Sequence, residues 1–126
     1  MRLLLDSTFL IDHLRGQAEA VDRLADIFEN GDEPIVTEIV VCEVRAGLLA
    51  DAERHLVALL EPMEFVQPDP GTAMRAGRWR VELRAAGRTL SLADSLIAAA
   101  ADSMGAIVLT RNVRDFSLTP VPVETY

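Results

Sequence analysis

Short apolar segments alternate with helix-like segments along this chain, and that alternation limits the fold more than any other feature. Buried strands are predicted at 3–5, 34–36, 64–66, 106–110 and, more weakly, 121–124. Apolar residues at helical spacing fill the stretches between them, at 7–14, 18–30, 37–49, 52–60, 71–86 and 91–104. Strands that alternate with helices are typical of a parallel sheet covered by helices on both faces. We therefore expect a three-layer α/β/α domain built on a short parallel sheet.

Length and composition predict one soluble domain. The chain has 126 residues, half of them apolar, so a single domain over residues 1–126 can bury a substantial core. We find no internal repeat or long linker, and the uncharged stretches are too short for a membrane span. The single cysteine, Cys42, excludes an internal disulfide and fits a reducing cytoplasm.

Four acidic residues lie among apolar or small residues, where a carboxylate is costly to bury. They are Asp6 after the first strand, Glu43 in the apolar segment 39–44, Asp94 in the segment 90–97, and Asp115 beyond the strand 106–110. The chain has no lysine to pair with them. Parallel sheets carry their sites at the carboxyl ends of the strands, where Asp6 and the loop 111–115 fall. The simplest interpretation is that the four acids converge on a divalent metal ion.

Each acid also has an ordinary structural explanation. Asp6 can cap the helix that follows it, and Asp94 completes a capping box that begins at Ser91. Asp115 can be a simple turn residue. Glu43 is harder to explain, because its helical neighbours are apolar or small and a solvated glutamate would lie on the wrong face. The functional interpretation thus depends on the joint placement of the four acids.

The charge of the chain argues against a general nucleic-acid binder. Its net charge is −8, whereas such proteins are usually basic. Arg80, Arg84 and Arg88 are spaced by four and would line one helical face if the helix continued past Gly87. This stripe is either a solvated face or a local contact for RNA phosphates or an acidic partner.

Four segments together resemble the motifs of the PIN-domain ribonucleases, and among them the VapC toxins of bacterial toxin–antitoxin systems. The segments are Leu4–Thr8, Glu43–Gly47, Leu90–Ala99 and Leu109–Phe116. Their order and spacing match the family across essentially the whole chain. One position departs from the pattern, because many relatives carry a fourth acid where this chain has Asn112.

The resemblance implies a PIN-like fold and a Mg²⁺- or Mn²⁺-dependent endoribonuclease that hydrolyses RNA phosphodiester bonds. It also implies a toxin that is usually a homodimer, is silenced by a cognate VapB-type antitoxin and forms a higher assembly with it.

The candidate catalytic residues are Asp6, Glu43, Asp94 and Asp115. Asp6 and Asp94 are expected to bind the metal directly, and Glu43 directly or through water, since Mg²⁺ prefers oxygen ligands and retains several waters. Asp115 is expected to supply the fourth charge in place of Asn112. The expected supporting residues are Ser7 and Thr110, which would orient water or phosphate, and Asn112, which can position water or cap the turn.

Two other functions are compatible with clustered acids on an α/β fold. A phospho-accepting receiver domain needs a lysine after its last strands, which this chain lacks. A PIN-like module with weak catalysis could act mainly by binding a protein partner. Metal-dependent cleavage of RNA separates that module from an active nuclease.

Overall fold

The computed structural model describes all residues, 1–126, and contains one parallel sheet. Its strands are β1 (Arg2–Leu5), β2 (Glu33–Thr37), β3 (Glu64–Val66), β4 (Ile107–Leu109) and β5 (Val123–Glu124). They lie in the order β3-β2-β1-β4-β5, and every neighbouring pair is parallel. The predicted parallel sheet is confirmed, with β1 at its centre.

Seven α-helices and one 3₁₀ turn connect and cover the strands. The helices are α1 (Ser7–Leu14), α2 (Ala18–Glu29), α3 (Glu38–Ala46), α4 (Glu53–Leu60), α5 (Pro70–Ala85), α6 (Leu92–Met104) and α7 (Val113–Phe116), and the 3₁₀ turn is Ala50–Ala52. Helix α1 packs on α2 and α3, and α5 packs on α6. The three-layer α/β/α architecture is the predicted one. None of the helices combines the length and the apolar character needed to cross a membrane.

The central strand is buried on both faces of the sheet. Leu3, Leu4 and Leu5 have no exposed surface, although successive strand residues point to opposite faces. Leu4 pairs with Ile35 on one side and Val108 on the other. Because helices cover both faces, the strand is uniformly apolar from Leu3 until Asp6, where the chain leaves the sheet.

Several element ends differ from the prediction by a few residues. Helix α3 ends at Ala46, before Gly47, and thus three residues short of the predicted end at 49; the separate 3₁₀ turn begins at Ala50. Helix α5 begins at Pro70 because the Asp69 side chain accepts a hydrogen bond from the Thr72 amide at 2.9 Å. Strand β4 is shorter than the predicted 106–110.

Candidate active site

Asp6 lies at the carboxyl end of the central strand and is held by hydroxyl groups. Its side chain is buried, and its backbone amide donates to the Leu109 carbonyl at 3.0 Å, which joins the ends of β1 and β4. The Thr8 and Thr110 hydroxyls donate to Asp6 Oδ2 at 3.0 and 2.8 Å. Oδ1 has only the Ser7 hydroxyl, at 3.5 Å. One carboxylate oxygen is therefore fixed, and the other retains capacity for a further partner.

Glu43 lies on α3, which packs against α1, and it carries an unsatisfied oxygen. Its Oε1 atom is buried and makes no hydrogen bond. Burial raises the pKa of the Glu43 carboxyl, the Ser7 hydroxyl partly offsets this rise, and the Asp6 charge adds to it. A buried carboxylate oxygen without a donor is costly, so this atom is suited to a cation.

Asp94 lies in the first turn of α6, where its charge is opposed by its surroundings. Burial, followed by the charge of Asp6, raises the pKa of Asp94 from 3.8 to about 6. The Ser91 hydroxyl opposes the rise, while Asp115 and Glu43 add to it. The Ser91 hydroxyl caps α6 by accepting from the Asp94 amide at 3.0 Å, so the predicted cap is present at this position. The charges of the other three predicted acids thus all act on Asp94.

Asp115 lies in the short helix α7, and Asn112 immediately precedes that helix. The Asn112 amide donates to the Thr110 hydroxyl at 2.8 Å, and its side-chain Nδ2 donates to Asp94 Oδ2 at 3.5 Å. Asp115 is half-buried within the single turn of α7 and makes no side-chain hydrogen bond in the structure. Asn112 therefore supports Asp94, while Asp115 contributes charge.

A cleft of about 590 Å³ adjoins the acids on the side of α7. It is lined by Gly87, Arg88, Thr89, Arg114, Asp115, Ser117 and Leu118. Asp115 is the only one of the four acids in its wall, and two arginines face the same space. The wall of this cleft therefore carries charge of both signs.

The predicted arginine stripe does not form one helical face. Helix α5 ends at Ala85, and Gly87 has a φ of +75°, a left-handed conformation that turns the chain away before Arg88. Arg80 donates from Nε to the Leu90 carbonyl at 3.1 Å, so it fixes the loop before α6. Arg84 remains exposed on α5, and Arg88 lines the cleft. The condition for a single stripe, a helix that continues past Gly87, is therefore not met, and the contact role of these arginines stays a prediction.

Sequence reasoning missed a second polar cluster beside the acids. Asp12 is buried on α1, and both of its oxygens accept from Arg111 Nη1, at 2.8 and 3.0 Å. The Tyr126 hydroxyl donates to Asp12 Oδ2 at 2.5 Å. A carboxylate within the apolar helix 7–14 was the available signal for Asp12. No local pattern links it to residues about a hundred positions away.

The acid cluster fits a divalent cation by its chemistry, although it is not a ready-made coordination shell. The structure contains no group of three or more His, Cys, Asp or Glu side chains close enough to hold one ion together. The observations that favour a cation are the unpartnered Glu43 oxygen and the raised pKa of Asp94. Mg²⁺ binds oxygen ligands and keeps several waters, so one or two direct carboxylates are sufficient.

Comparisons with known proteins agree with this architecture. The PIN domain family model matches residues 3–121. The chain is 34% identical to ribonuclease VapC19 of Mycobacterium tuberculosis over 117 residues, covering 93% of this chain and 94% of that protein. It is also similar to the structure of VapBC2 from Rickettsia felis bound to a promoter DNA fragment, with a TM-score of 0.88, 20% identity, and coverage of 100% of this chain and 99% of the other.

A further solved structure is a toxin–antitoxin complex from Klebsiella pneumoniae, with a TM-score of 0.77 and 26% identity. The similarity covers 98% of this chain and 96% of that one. The family model matches nearly the whole length of this chain, and a VapC relative is more than 30% identical to it. The chain therefore belongs to the PIN domain family, among the VapC ribonucleases.

Proposed function

We propose that this protein is a Mg²⁺- or Mn²⁺-dependent endoribonuclease, the toxin of a VapBC-type system, built as one domain over residues 1–126. The observation that carries the proposal is the unpartnered, buried Oε1 atom of Glu43 beside the Asp6 carboxylate. A bound cation would relieve the cost of burying this oxygen without a hydrogen-bond donor. A cation held by carboxylates can also promote phosphodiester hydrolysis, because it activates water and neutralises charge on the phosphoryl oxygens. Family membership and the named ribonuclease relative support the same activity.

Asp6 and Asp94 would hold the metal directly, and Glu43 directly or through water. When bound, the metal would lower the pKa of a water molecule and neutralise charge on the phosphoryl oxygens. Asp115 would add the fourth charge. These four acids are the proposed catalytic residues.

The remaining polar residues would fix the carboxylates. The Thr8 and Thr110 hydroxyls hold Oδ2 of Asp6, so Oδ1 keeps the capacity to bind the metal. Asn112 donates to Asp94 and so favours its charged form. Ser7 lies beside both Asp6 and Glu43 and can orient a water or a phosphate oxygen.

The proposed partners are an RNA substrate, a second copy of the chain and a cognate VapB-type antitoxin in a higher assembly, all in the cytoplasm. The Klebsiella relative was solved as a toxin–antitoxin complex. Exposed apolar side chains are available for protein contacts, among them Leu49 at 80% and Val57 at 64% exposure. Burial of such side chains against another chain would remove their apolar surface from water.

Cleavage of an RNA panel with Mn²⁺, and with EDTA in its place, tests the activity. Cleavage should require the metal, and Asp6→Asn should slow it by more than about 100-fold, beyond the usual effect of a supporting residue. Asp22→Asn is the matched control, because Asp22 is exposed on α2 and makes no ion pair. Folded protein that binds an antitoxin but cleaves no RNA in Mn²⁺ would instead be the partner-binding module.

A further inference from the structure

The residues Thr110, Arg111 and Asn112 form a continuous link between carboxylates. Thr110 donates to Asp6 and Asn112 to Asp94, both members of the acid cluster. Arg111 lies between them, and its backbone amide donates to the Thr8 hydroxyl at 3.1 Å. The same Thr8 hydroxyl donates to Asp6. The backbone of Arg111 is thereby fixed at the border of the acid cluster.

The side chain of Arg111 is held by a buried acid outside that cluster. Both Asp12 oxygens accept from the single Arg111 nitrogen Nη1. The Tyr126 hydroxyl also donates to Asp12, and the Tyr126 ring packs edge-on against Phe9, with ring centroids 4.9 Å apart. Burial, then the hydrogen bond to Asp12, raises the pKa of Tyr126, so its hydroxyl remains a donor. Asp12 therefore accepts hydrogen bonds from both Arg111 and Tyr126, and it holds the Arg111 side chain in place.

Most of the Arg111 guanidinium nevertheless remains available. Only Nη1 is engaged, while Nε and Nη2 make no hydrogen bond within the protein, and 57% of the side chain is exposed. A guanidinium whose position is fixed and whose remaining donors face solvent is pre-organised to bind an oxyanion.

A nucleic-acid substrate needs such a group here. The cluster contributes four carboxylates and the chain carries a net charge of −8, so an approaching phosphate is repelled unless a local cation offsets this field. Arg111 immediately follows Thr110, whose hydroxyl binds Asp6, so its guanidinium is anchored next to a residue that holds a carboxylate of the cluster.

We propose that Arg111 is a phosphate anchor for the RNA strand at the border of the acid cluster, oriented by Asp12 and Tyr126. The proposal rests on the proposed ribonuclease function and assigns its substrate-binding residue. Arg111 contacts the phosphate, whereas Asp12 and Tyr126 are positioning residues that act through it.

Fluorescence anisotropy with short single-stranded RNA of randomised sequence, in EDTA, tests the anchor without cleavage. Arg111→Gln should weaken binding about tenfold, as expected for a lost charge-assisted hydrogen bond. The slope of log affinity against log salt should fall by about 0.7, the value for one phosphate contact on a single strand. Arg78→Gln is the matched control, because it removes the same charge from an exposed site on α5.

A second variant separates anchoring from folding. Arg111→Gln alone leaves Asp12 buried and without its cation, which lowers stability. Asp12→Asn/Arg111→Gln removes that charge and should recover stability, while RNA binding and its salt slope stay reduced. Tyr126→Phe should keep Arg111 and produce a smaller loss of binding.

The outcomes distinguish the two proposals. If the double variant recovers RNA binding together with stability, or if Arg111→Gln binds RNA like wild type while wild type cleaves RNA in Mn²⁺, the anchor is wrong and the ribonuclease assignment stands. If wild-type protein neither binds nor cleaves RNA, both proposals fail.

Discussion

Among the four acids, Asp94 is the one whose charged form is most strongly disfavoured by its surroundings. Its pKa is raised to about 6, first by burial and then by the Asp6 charge. A carboxyl with this pKa is partly protonated near neutrality, and a metal ion bound there as proposed would have to displace that proton. The residue thus couples the site to pH.

The metal-free protein should become less stable as pH rises from about 5 to 7.5. Because the folded-state pKa of Asp94 lies above its ordinary value of 3.8, the folded protein holds the proton more tightly than the unfolded chain. This stabilisation is fully present below the ordinary pKa and is lost as pH rises through about 6. Its size should be on the order of 1 kcal/mol, allowing for solvent screening of a half-buried group. Urea unfolding in EDTA across this range measures it.

Asp94→Asn is the variant that isolates this effect. It should be more stable than wild type in EDTA at pH 7.5 and should show a shallower pH dependence, with the residual slope coming from Glu43, whose pKa is also raised. Equal pH slopes for wild type and Asp94→Asn would contradict the prediction. Asp22→Asn should reproduce the wild-type slope.

At the scale of elements, helix α7 determines how the segment Leu109–Phe116 is positioned relative to the other acids. The helix is a single turn over Val113–Phe116, and Asn112 precedes it with its side chain on Asp94. Phe116 is buried in the core and holds the turn in place. One short element therefore presents an amide to one acid and a further carboxylate, Asp115, to the cleft.

Asp115 rather than Asn112 should supply the fourth charge of the site. Asp115→Asn should weaken Mn²⁺ affinity and slow RNA cleavage by about 10–100-fold, the range for a supporting group around a metal. Asn112→Asp should retain or tighten Mn²⁺ binding but lower the stability of the metal-free protein, because it replaces a donor to Asp94 by a like charge. Mn²⁺ titration and denaturation of both variants measure these effects. A loss of stability in Asp115→Asn with normal affinity and cleavage per folded molecule would make Asp115 structural.

At the scale of the whole molecule, the site is assembled from separate layers around one strand. Asp6 follows β1, Glu43 comes from α3, Asp94 from α6 and Asp115 from α7. Their mutual repulsion opposes closure of these elements, so the charge of the cluster is linked to global stability. A cation that binds only the folded state relieves that repulsion.

Mn²⁺ should therefore raise the melting temperature of the protein. A hundredfold excess over its dissociation constant adds about 2.7 kcal/mol to the free energy of unfolding, or roughly 10 °C for a domain of this size. Calorimetry with and without Mn²⁺ measures the shift. Asp6→Asn/Asp94→Asn should show no shift. An equal shift in that variant would mean that Mn²⁺ does not bind at Asp6 and Asp94.

The sequence by itself determined the parallel α/β fold and singled out four acids, three of which act by their charge on the fourth, Asp94. Uniformly apolar strands such as Leu3–Leu5 can only be buried on both faces, and a carboxylate next to such a strand must lie at the edge of the sheet. Glycines, proline and capping residues also placed most element ends within a few residues. These are local effects, so they can be read along the chain.

Only the tertiary structure decided the pairings between distant residues. Asp12 meets Arg111 and Tyr126 because β1, β4 and β5 are adjacent in the sheet, and no local preference encodes that adjacency. The pKa of Asp94 likewise depends on Asp6, which is near it in space and far from it along the chain. Burial and Coulomb interactions depend on distance in three dimensions, which strand order sets and local sequence does not.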